Sequence, residues 1–378
     1  MAKNSKLQTA KTAKNDGFYT QYGDIQFEIN AYLEYNPNVF RDKTILLPCD
    51  DPEWSNFTRF FAENFERYGL KKLISTSYAV DSKNNKWYEP TLFETEAPNY
   101  DEAKTRSHGK IFVLDRDVNN SGRIDIEDLQ WNYLEGDGDY NSNEVRALRD
   151  EADIIITNPP FSKFHEFLSW IYEAKKQFII IGNKGSVGYK DVFPLIKNNL
   201  LWSGKTEWSG GMWFETKNEA DVDRVVDGIN MKNVPSCWFT NIDHGRRHQP
   251  LKLMTMDDNI KYSKHKDIRG VGYQKYENYD AIEIPYTDAI PSDYEGIMGV
   301  PISFLEKYCP EQFEILGMCE NEDLYGLKTK VYTTAECRLA YQKKFGRSGT
   351  YDLNASGVIV VNGILEKTYS RILIRKKQ

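Results

Sequence analysis

Four consecutive residues, Asn158-Pro159-Pro160-Phe161, combine the groups needed to hold a planar amine. Asn158 offers a carboxamide oxygen, the prolines offer carbonyl oxygens with no N–H of their own, and Phe161 offers a flat face for stacking. Two prolines can neither extend a sheet ladder nor lie inside a helix, so we expect them to hold Asn158 in a rigid extended turn. The tetrad therefore predicts a site that grips an exocyclic amine, and a plain connector between a strand and a helix is the alternative.

Short apolar runs alternate with helical patterns in the first half of the chain, and they predict the elements that position this tetrad. The run at 154–156 predicts a buried strand just before it, and the apolar stripe at 164–172 predicts a helix just after it. The runs at 45–47 and 178–181 predict further buried strands. Continuous apolar strands separated by amphipathic helices are typical of a parallel sheet covered on both faces, so we predict a doubly wound α/β domain.

Acidic residues follow the first of these strands. Asp50 and Asp51 stand after it, just as Asn158 stands after the strand that precedes the tetrad. Ligands of such sheets bind beyond the carboxyl ends of the strands, where all three residues are expected to lie. We also expect Asp51 to cap the next helix, with Pro52 at its first position and Gly69 at its end.

Two changes along the chain predict its organisation. The polar segment at 79–135 is too long for a simple connection, so we interpret it as an insertion, with a predicted strand at 111–114. From about residue 231 the sequence becomes rich in Pro, Tyr and charged residues, with short apolar runs. We therefore predict one domain at 1–230 and a second domain of mixed α and β structure at 231–378.

Composition excludes several classes of protein. The 378 residues include 24 Tyr, 19 Phe and 8 Trp, which argues against disorder, and no apolar run reaches the roughly 18 residues of a membrane span. The five cysteines are few, odd in number and never spaced as Cys-x-x-Cys, which excludes a secreted disulfide scaffold. Residues 1–14 contain lysines but no apolar core, so they are not a signal peptide. We predict a cytoplasmic protein with reduced thiols and no membrane contact.

The net charge of −7 is unevenly distributed. The stretch at 115–153 has twelve acidic residues against four arginines, so the rest of the chain is close to neutral, whereas the stretch at 243–275 has eight Lys and Arg against four Asp. Local fields matter more than total charge to a phosphate backbone. The candidate DNA-binding residues in the basic stretch are Arg246, Arg247, Lys252, Lys261, Lys264, Lys266 and Arg269. A solvated charged face is the alternative.

Part of the acidic stretch has the spacing of an EF-hand-like calcium loop over 117–128. Oxygen-bearing side chains occupy its first, third, fifth, ninth and twelfth positions, and Gly122 occupies the sixth. The candidate ligands are Asp117, Asn119, Ser121 and Asp128. A turn rich in Asn and Asp is the alternative. The histidines and cysteines show no zinc-binding constellation.

The tetrad resembles the (D/N)PP(Y/F) catalytic motif of amino-methyltransferases that use S-adenosylmethionine. Longer stretches resemble the EcoRI-type adenine-specific DNA methyltransferases, in family order from residue 18 to the C-terminus, apart from the insertion and the segment near 320–365. These stretches are Phe18-Tyr19-Thr20-Gln21-Tyr22, Cys49-Asp50-Asp51-Pro52, Ser55-Asn56-Phe57, Gly69 to Ile74, Gly136-Asp137-Gly138-Asp139, Gly296 to Ile302, Pro310 to Glu314 and Arg371 to Ile374.

The resemblance implies a Rossmann-like sheet that binds S-adenosylmethionine. The cofactor-binding residues that it implies are Phe18, Tyr19, Thr20, Asp50, Asp51, Pro52, Asp137 and Asp139. The first three would hold the methionine end, and the next three would stand at the tip of the first strand, where an acid can accept from the ammonium group. The sequence departs from the commoner pattern because it has no Gly-x-Gly turn there and because 75–78 lacks the acid expected on the ribose. One of the last two acids would reach the adenine moiety instead, and a solvated Gly-Asp turn is the alternative.

The implied function is site-specific N6-methylation of an adenine flipped out of duplex DNA. Asn158, Pro159, Pro160 and Phe161 would form the catalytic motif, and the domain from about 231 would recognise double-stranded DNA. A restriction endonuclease that acts on the same site can accompany such an enzyme. Two alternatives stay open: a methyltransferase for RNA adenine or protein glutamine, and a non-catalytic module that binds nucleic acid or calcium.

Overall fold

The computed structural model describes residues 18–48, 50, 55–79, 95, 97–216 and 219–377. They form two compact units. The first contains the described residues up to Val192 together with Leu201–Gly245, and the second contains Phe193–Leu200 together with the chain from Arg246 onward. None of the helices in these ranges is both long enough and apolar enough to cross a membrane.

The first unit has a mixed α/β structure. Its described strands are β1 (Phe18–Thr20), β2 (Thr44–Leu47), β3 (Lys72–Ser77), β4 (Lys110–Leu114), β5 (Gln130–Tyr133), β6 (Ile154–Thr157), β7 (Gln177–Asn183), β8 (Trp202–Ser203), β9 (Met212–Thr216), β10 (Arg224–Val226), β11 (Ile229–Val234) and β12 (Ser236–Thr240). Its described α-helices are α1 (Tyr22–Tyr35), α2 (Asn56–Glu63), α3 (Phe65–Tyr68), α4 (Glu102–Ser107), α5 (Asn143–Glu151) and α6 (Phe164–Glu173). Short 3₁₀ turns lie at Ile126–Asp128, Phe161–Lys163, Lys184–Gly188 and Glu219–Asp221.

The main sheet has the strand order β5-β4-β3-β2-β6-β7-β12-β8. Its centre, β3, β2, β6 and β7, is parallel, and the outer pairs are antiparallel. The chain passes from β2 to β3 on one side and later returns to β6 on the other side, so the strand order reverses between β2 and β6. Every residue of these two strands is buried, which explains why their sequences are continuous apolar runs. The predicted strands at 45–47, 111–114, 154–156 and 178–181 are confirmed.

The predicted insertion adds to the main sheet. Its β4 pairs with β3, and β5 pairs with β4, so the described part of 79–135 extends the sheet on the β3 side. A second, antiparallel sheet has the order β1-β9-β11-β10. Both sheets belong to the first unit, so β1 and β9 lie in the same unit as β6, the strand that precedes the tetrad.

The helix after β2 begins later than predicted. Ser55 caps α2, because its Oγ accepts a hydrogen bond from the Phe57 N–H at 3.1 Å. The predicted cap, Asp51, and the predicted first helical residue, Pro52, lie outside the described residues. Gly69 ends α3 with φ 65°, as predicted, because glycine adopts this left-handed conformation without strain.

The second unit is built from smaller pieces. Its described helices are α7 (Phe193–Lys197), α8 (Met256–Tyr262) and α9 (Thr334–Phe345), with 3₁₀ turns at Gly245–His248, Thr287–Ala289, Ile302–Lys307 and Leu353–Ala355. Its strands are β13 (Ala281–Glu283), β14 (Ile297–Pro301), β15 (Phe313–Met318), β16 (Val358–Val361), β17 (Ile364–Lys367) and β18 (Arg371–Lys376). One sheet has the order β13-β14-β18-β15, and β16 and β17 form a hairpin.

The compact units divide at a different place from the predicted boundary near 230. Because β12 pairs with β7, the segment at 236–240 belongs to the main sheet of the first unit. Conversely, α7 belongs to the second unit, where the ring of Phe193 packs edge-on against Tyr325 with centroids 5.6 Å apart.

Candidate functional site

The carboxyl ends of β2 and β6 are joined by a buried hydrogen bond. Asp50, which is 6% exposed, follows β2, and its Oδ2 accepts from the Thr157 hydroxyl at 2.7 Å. Its Oδ1 accepts from the Ser55 hydroxyl at 2.8 Å. Since Thr157 directly precedes Asn158, this carboxylate fixes the start of the tetrad against the tip of β2.

Hydroxyl groups also fix the tip of β2 from its other side. The Ser75 hydroxyl on β3 donates to the Asp50 carbonyl oxygen at 2.6 Å, and it lies 2.9 Å from the Thr58 hydroxyl on α2. Ser75 and Thr58 are both fully buried. These bonds hold the tip of β2 in place. The commoner methyltransferase pattern would have a Gly-x-Gly turn at this position.

The tetrad itself forms the predicted rigid turn. Pro160 has φ −52° and ψ 121°, and its carbonyl oxygen accepts from the Lys163 N–H at 2.9 Å, so the chain turns through Phe161–Lys163 into α6. Asn158 and Phe161 are half-buried, whereas Pro159 is buried. The extended geometry at Pro160 and the helix that follows are therefore confirmed.

The strand β1 is brought to the same place by two contacts. The Asn56 side chain at the start of α2 donates to the Thr20 carbonyl oxygen at 2.8 Å. In the antiparallel pair β1–β9, Thr20 lies opposite Phe214, whose ring meets that of Phe161 edge to face at 6.1 Å. A closed ring of contacts thus runs from β1 through α2 and Asp50 to the tetrad and back through β9.

The Gly-Asp-Gly-Asp loop at 136–139 packs on the end of β3, which is the neighbour of β2. The Ala79 N–H donates to the Asp137 carbonyl oxygen at 2.7 Å. Gly138 has φ 81°, and a Cβ at this position would collide with the Ser77 carbonyl oxygen. Only glycine permits this approach, which leaves the side chains of Asp137 and Asp139 half-buried at the sheet edge that carries the tetrad.

Three of the predicted cofactor residues are not fully described. Asp51 and Pro52 lie outside the described residues, and only the backbone of Phe18 is described. Tyr19 is half-buried and Thr20 is buried. Among the residues that the structure describes, the buried hydroxyls of Thr20 and Thr76 have no hydrogen-bond partner.

Sequence reasoning missed the roles of Thr157, Ser55 and Phe214. Thr157 stands beside the tetrad and Ser55 begins one of the quoted stretches. A signal was present because buried strand ends and helix caps favour hydroxyl side chains that can hydrogen-bond. Phe214 gave no such signal, since its contact with Phe161 depends on how β9 pairs with β1.

The predicted DNA-binding residues of the second unit fall into two groups. Five are exposed: Lys252, Lys261, Lys264, Lys266 and Arg269. The last four of them, on and after α8, form what we call the α8 surface. Lys264 pairs with Asp288 at 2.7 Å but remains 75% exposed in its side chain.

Arg246 and Arg247 are less exposed than the other five predicted residues. Arg247 is only 6% exposed and donates to the Asn199 side chain. Arg246 lies 3.5 Å from the Glu306 carboxylate, and both side chains are largely covered. Both arginines therefore contribute to packing within the second unit, and their contact with DNA stays a prediction.

The carboxylates of the predicted calcium loop accept bonds from the loop backbone. Asp117 accepts from the N–H groups of Ser121 and Gly122, and Asp128 accepts from those of Val118 and Asn119 at 2.8 and 3.0 Å. Within the described ranges, no group of three or more His, Cys, Asp or Glu side chains is placed to hold a metal ion. Calcium binding by this loop stays a prediction.

A family model described as the adenine-specific methyltransferase EcoRI matches residues 6–377. The chain belongs to this EcoRI methyltransferase family. The match spans both compact units, so the family comparison covers the tips of β2 and β6 as well as the α8 surface.

Three relatives of this chain are named as type II methyltransferases. M.EcoRI of Escherichia coli is 37% identical over 85% of this chain and 91% of its own length. M.MpnI of Mycoplasma pneumoniae is 34% identical over 85% of this chain and 89% of its own, and M.MgeORF184P of Mycoplasma genitalium is 30% identical over 98% of both. No solved structure matches the chain significantly.

Proposed function

We propose that this member of the EcoRI methyltransferase family transfers a methyl group from S-adenosylmethionine to N6 of an adenine flipped out of duplex DNA. The observation that supports the proposal is the Asp50–Thr157 hydrogen bond, which joins the residue before the tetrad to the tip of β2, next to the point where the strand order reverses. Ligands of open α/β sheets bind at such a point. We accordingly interpret the parallel strands as a Rossmann-like cofactor-binding sheet and the second unit as the DNA-recognition domain.

The residues at the strand tips fit S-adenosylmethionine. The buried Thr20 hydroxyl, which has no hydrogen-bond partner among the described residues, can bond to the methionine end of the cofactor. Both Asp50 carboxylate oxygens accept protein hydroxyls, which holds this negatively charged group at the tip of β2, where it can attract the cofactor's ammonium group. Asp137 or Asp139, beside the end of β3, would serve the adenosine end. Phe18, Tyr19, Asp51 and Pro52 complete the proposed cofactor set.

The chain's own part in the reaction is to hold the target amine. The lone pair of adenine's amine is delocalised into the ring, so hydrogen bonds from the amine to the Asn158 side-chain oxygen and the Pro159 carbonyl would make the nitrogen more nucleophilic. Because Asp50 and Thr157 fix the turn, these acceptors are positioned in advance, and catalysis is mainly positioning and charge matching. When bound, S-adenosylmethionine supplies the electrophilic methyl group. Phe161 would stack on the flipped base and offset part of the few kcal/mol that flipping costs.

The test is to map methylated adenine in DNA from cells that express the protein and that lack other adenine methylation. We expect one defined sequence to be methylated in the duplex by the wild type and strongly reduced methylation of that sequence by Asn158→Ala at equal expression. Methyl groups found in RNA or on protein glutamine, with unmodified DNA, would replace the proposal with that alternative.

A further inference from the structure

One basic segment of the second unit is not among those that the sequence motifs singled out. Between Lys328 and Tyr351 there are six cationic side chains and one acidic side chain, Glu336. The cationic residues are Lys328, Lys330, Arg338, Lys343, Lys344 and Arg347. Such a balance favours a polyanionic partner over a protein surface, because Lys is depleted at protein–protein interfaces.

The helix α9 lies in this segment and has well-defined ends. Thr333 and Glu336 form a capping box, in which the Glu336 carboxylate accepts from the Thr333 N–H at 2.8 Å. Gly346 ends the helix in the left-handed conformation. The segment's one acid therefore lies in the cap, and the face of the helix beyond its first turn carries only neutral and cationic residues.

One side of α9 anchors it to the second unit. Cys337 and Ala340 are buried in a small core with Tyr332, Leu353 and Val358. On the same side, the Lys344 ammonium pairs with Glu366 of β17 at 2.6 Å. Among the residues that the structure describes, these anchoring contacts lie on one side of the helix.

The opposite side of α9 is exposed and carries polar and cationic side chains together with the apolar Leu339. Arg338 and Gln342 stand four residues apart and therefore lie on one stripe, with Leu339 and Lys343 beside them. Within the described part of the chain, the side chains of Arg338, Gln342 and Lys343 make no hydrogen bond or ion pair. Their polar groups are thus presented to solvent at the surface of a rigidly capped helix.

We propose that α9 enters the major groove of the DNA substrate and that Arg338 and Gln342 contact base edges there. The proposal rests on the proposed function. A helix of twelve residues is about 18 Å long, and the major groove admits an α-helix. Arg forms paired hydrogen bonds to guanine and Gln forms them to adenine, so the two residues would determine part of the recognition sequence. Lys343 and Arg347 would contact the flanking phosphates.

The experiment uses the full-length protein, S-adenosylmethionine and a duplex library in which the positions around a target adenine are randomised. Methylated duplexes are sequenced for the wild type, Arg338→Ala, Arg338→Lys, Gln342→Ala and Lys343→Ala. We expect Arg338→Ala and Gln342→Ala each to lose roughly tenfold or more of the preference at one position. Arg338→Lys keeps the charge but not the paired geometry, so it should relax the same position.

Lys343→Ala should lower the rate on all sequences alike, because a phosphate contact carries no base preference. Lys71→Ala, an exposed cation before β3 at the amino end of the parallel strands, is the matched control and should leave the sequence profile and rate unchanged. Melting temperatures establish that each variant is folded. If Arg338→Lys and Gln342→Ala are folded and keep the wild-type profile, the role of α9 is overturned while the methyltransferase function stands. If the wild type methylates no duplex at all, the proposed function itself fails.

Discussion

At the tips of β2 and β6, Asp50 and Thr157 are buried and joined by a 2.7 Å hydrogen bond, whereas Lys261 and Lys266 of the α8 surface are exposed to solvent. Methyl transfer to an amine requires acceptors fixed within a fraction of an ångström, and buried hydrogen bonds supply that fixity. Contact with a phosphate backbone requires charge near a polyanion but little exact geometry. The two regions therefore should respond to substitution in different ways.

The largest effect is expected at Asn158. Asn158→Ala should lower turnover at least ~100-fold while cofactor affinity changes little, because the hydrogen bonds that it loses are made to the target amine. Single-turnover kinetics and calorimetry with S-adenosylmethionine measure the two quantities. Wild-type turnover in this variant would contradict the role of the tetrad.

Phe161 tests whether the aromatic face of the tetrad stacks on the base. Phe161→Ala should impair turnover and capture of the flipped base, whereas Phe161→Tyr and Phe161→Trp should retain much of both, since any π face can stack. Fluorescence of 2-aminopurine at the target position reports capture. Equal fluorescence with Phe161→Ala and the wild type would remove the stacking role and leave Phe161 as a packing partner of Phe214.

Thr157→Val tests the fixity of the site without changing the tetrad. The variant keeps the side-chain shape but leaves one Asp50 oxygen without its donor, so we expect about 1–3 kcal/mol lower stability and roughly tenfold lower turnover. Thr240→Val is the matched control, because the buried Thr240 hydroxyl donates to the Phe178 carbonyl oxygen at 2.7 Å, away from the tetrad. Chemical denaturation and turnover are compared. If both variants lose stability but neither loses turnover, the Asp50–Thr157 bond is structural only.

The α8 surface should show smaller and additive effects. Lys261→Ala and Lys266→Ala should each weaken specific and random duplex about equally and reduce the slope of log affinity against log salt by about one. Lys264→Ala should do less, since Asp288 already neutralises part of its charge. Lys71→Ala is again the control.

Arg247→Ala should instead lower the melting temperature and leave the slope of log affinity against log salt unchanged, because Arg247 is buried. Unaltered affinity and slope in all three lysine variants would mean that DNA enters by another surface.

The smallest effect is expected in the loop at 117–128. Hydrogen bonds from the backbone, first that of Asn119 and then those of Asp125 and Val118, hold the pKa of Asp128 below its ordinary value of 3.8, although burial opposes them. A carboxyl group whose pKa is lowered in the folded state stabilises the fold at pH values above its ordinary pKa. That contribution is lost as the pH falls through the lowered pKa. Melting curves should therefore separate the wild type from Asp128→Ala at pH 7 and converge in acid. A chelator should lower the wild-type melting temperature only if the loop binds calcium.

Local signals explain what could be predicted about the fold. The apolar runs at 45–47, 154–156 and 178–181 became central strands because each is long enough for a strand and has no polar face to expose. Gly69 ends a helix as expected, since a helix cap acts within three or four residues of the chain. The cap at Asp51 was wrong for α2, because Ser55 offered an equally good cap closer to the buried aromatic residues.

The candidate site shows the same division between features set by neighbouring residues and contacts between residues that are far apart in the sequence. The sequence by itself determined that Asn158-Pro159-Pro160-Phe161 forms an extended turn between a strand and a helix, because proline restricts its own φ and the residue before it. Only the tertiary structure decided that Thr157 meets Asp50, 107 positions away, and that Arg247 is buried against Asn199, 48 positions away. Strand order and the packing of surfaces are set by the summed burial of many side chains, which no local pattern contains.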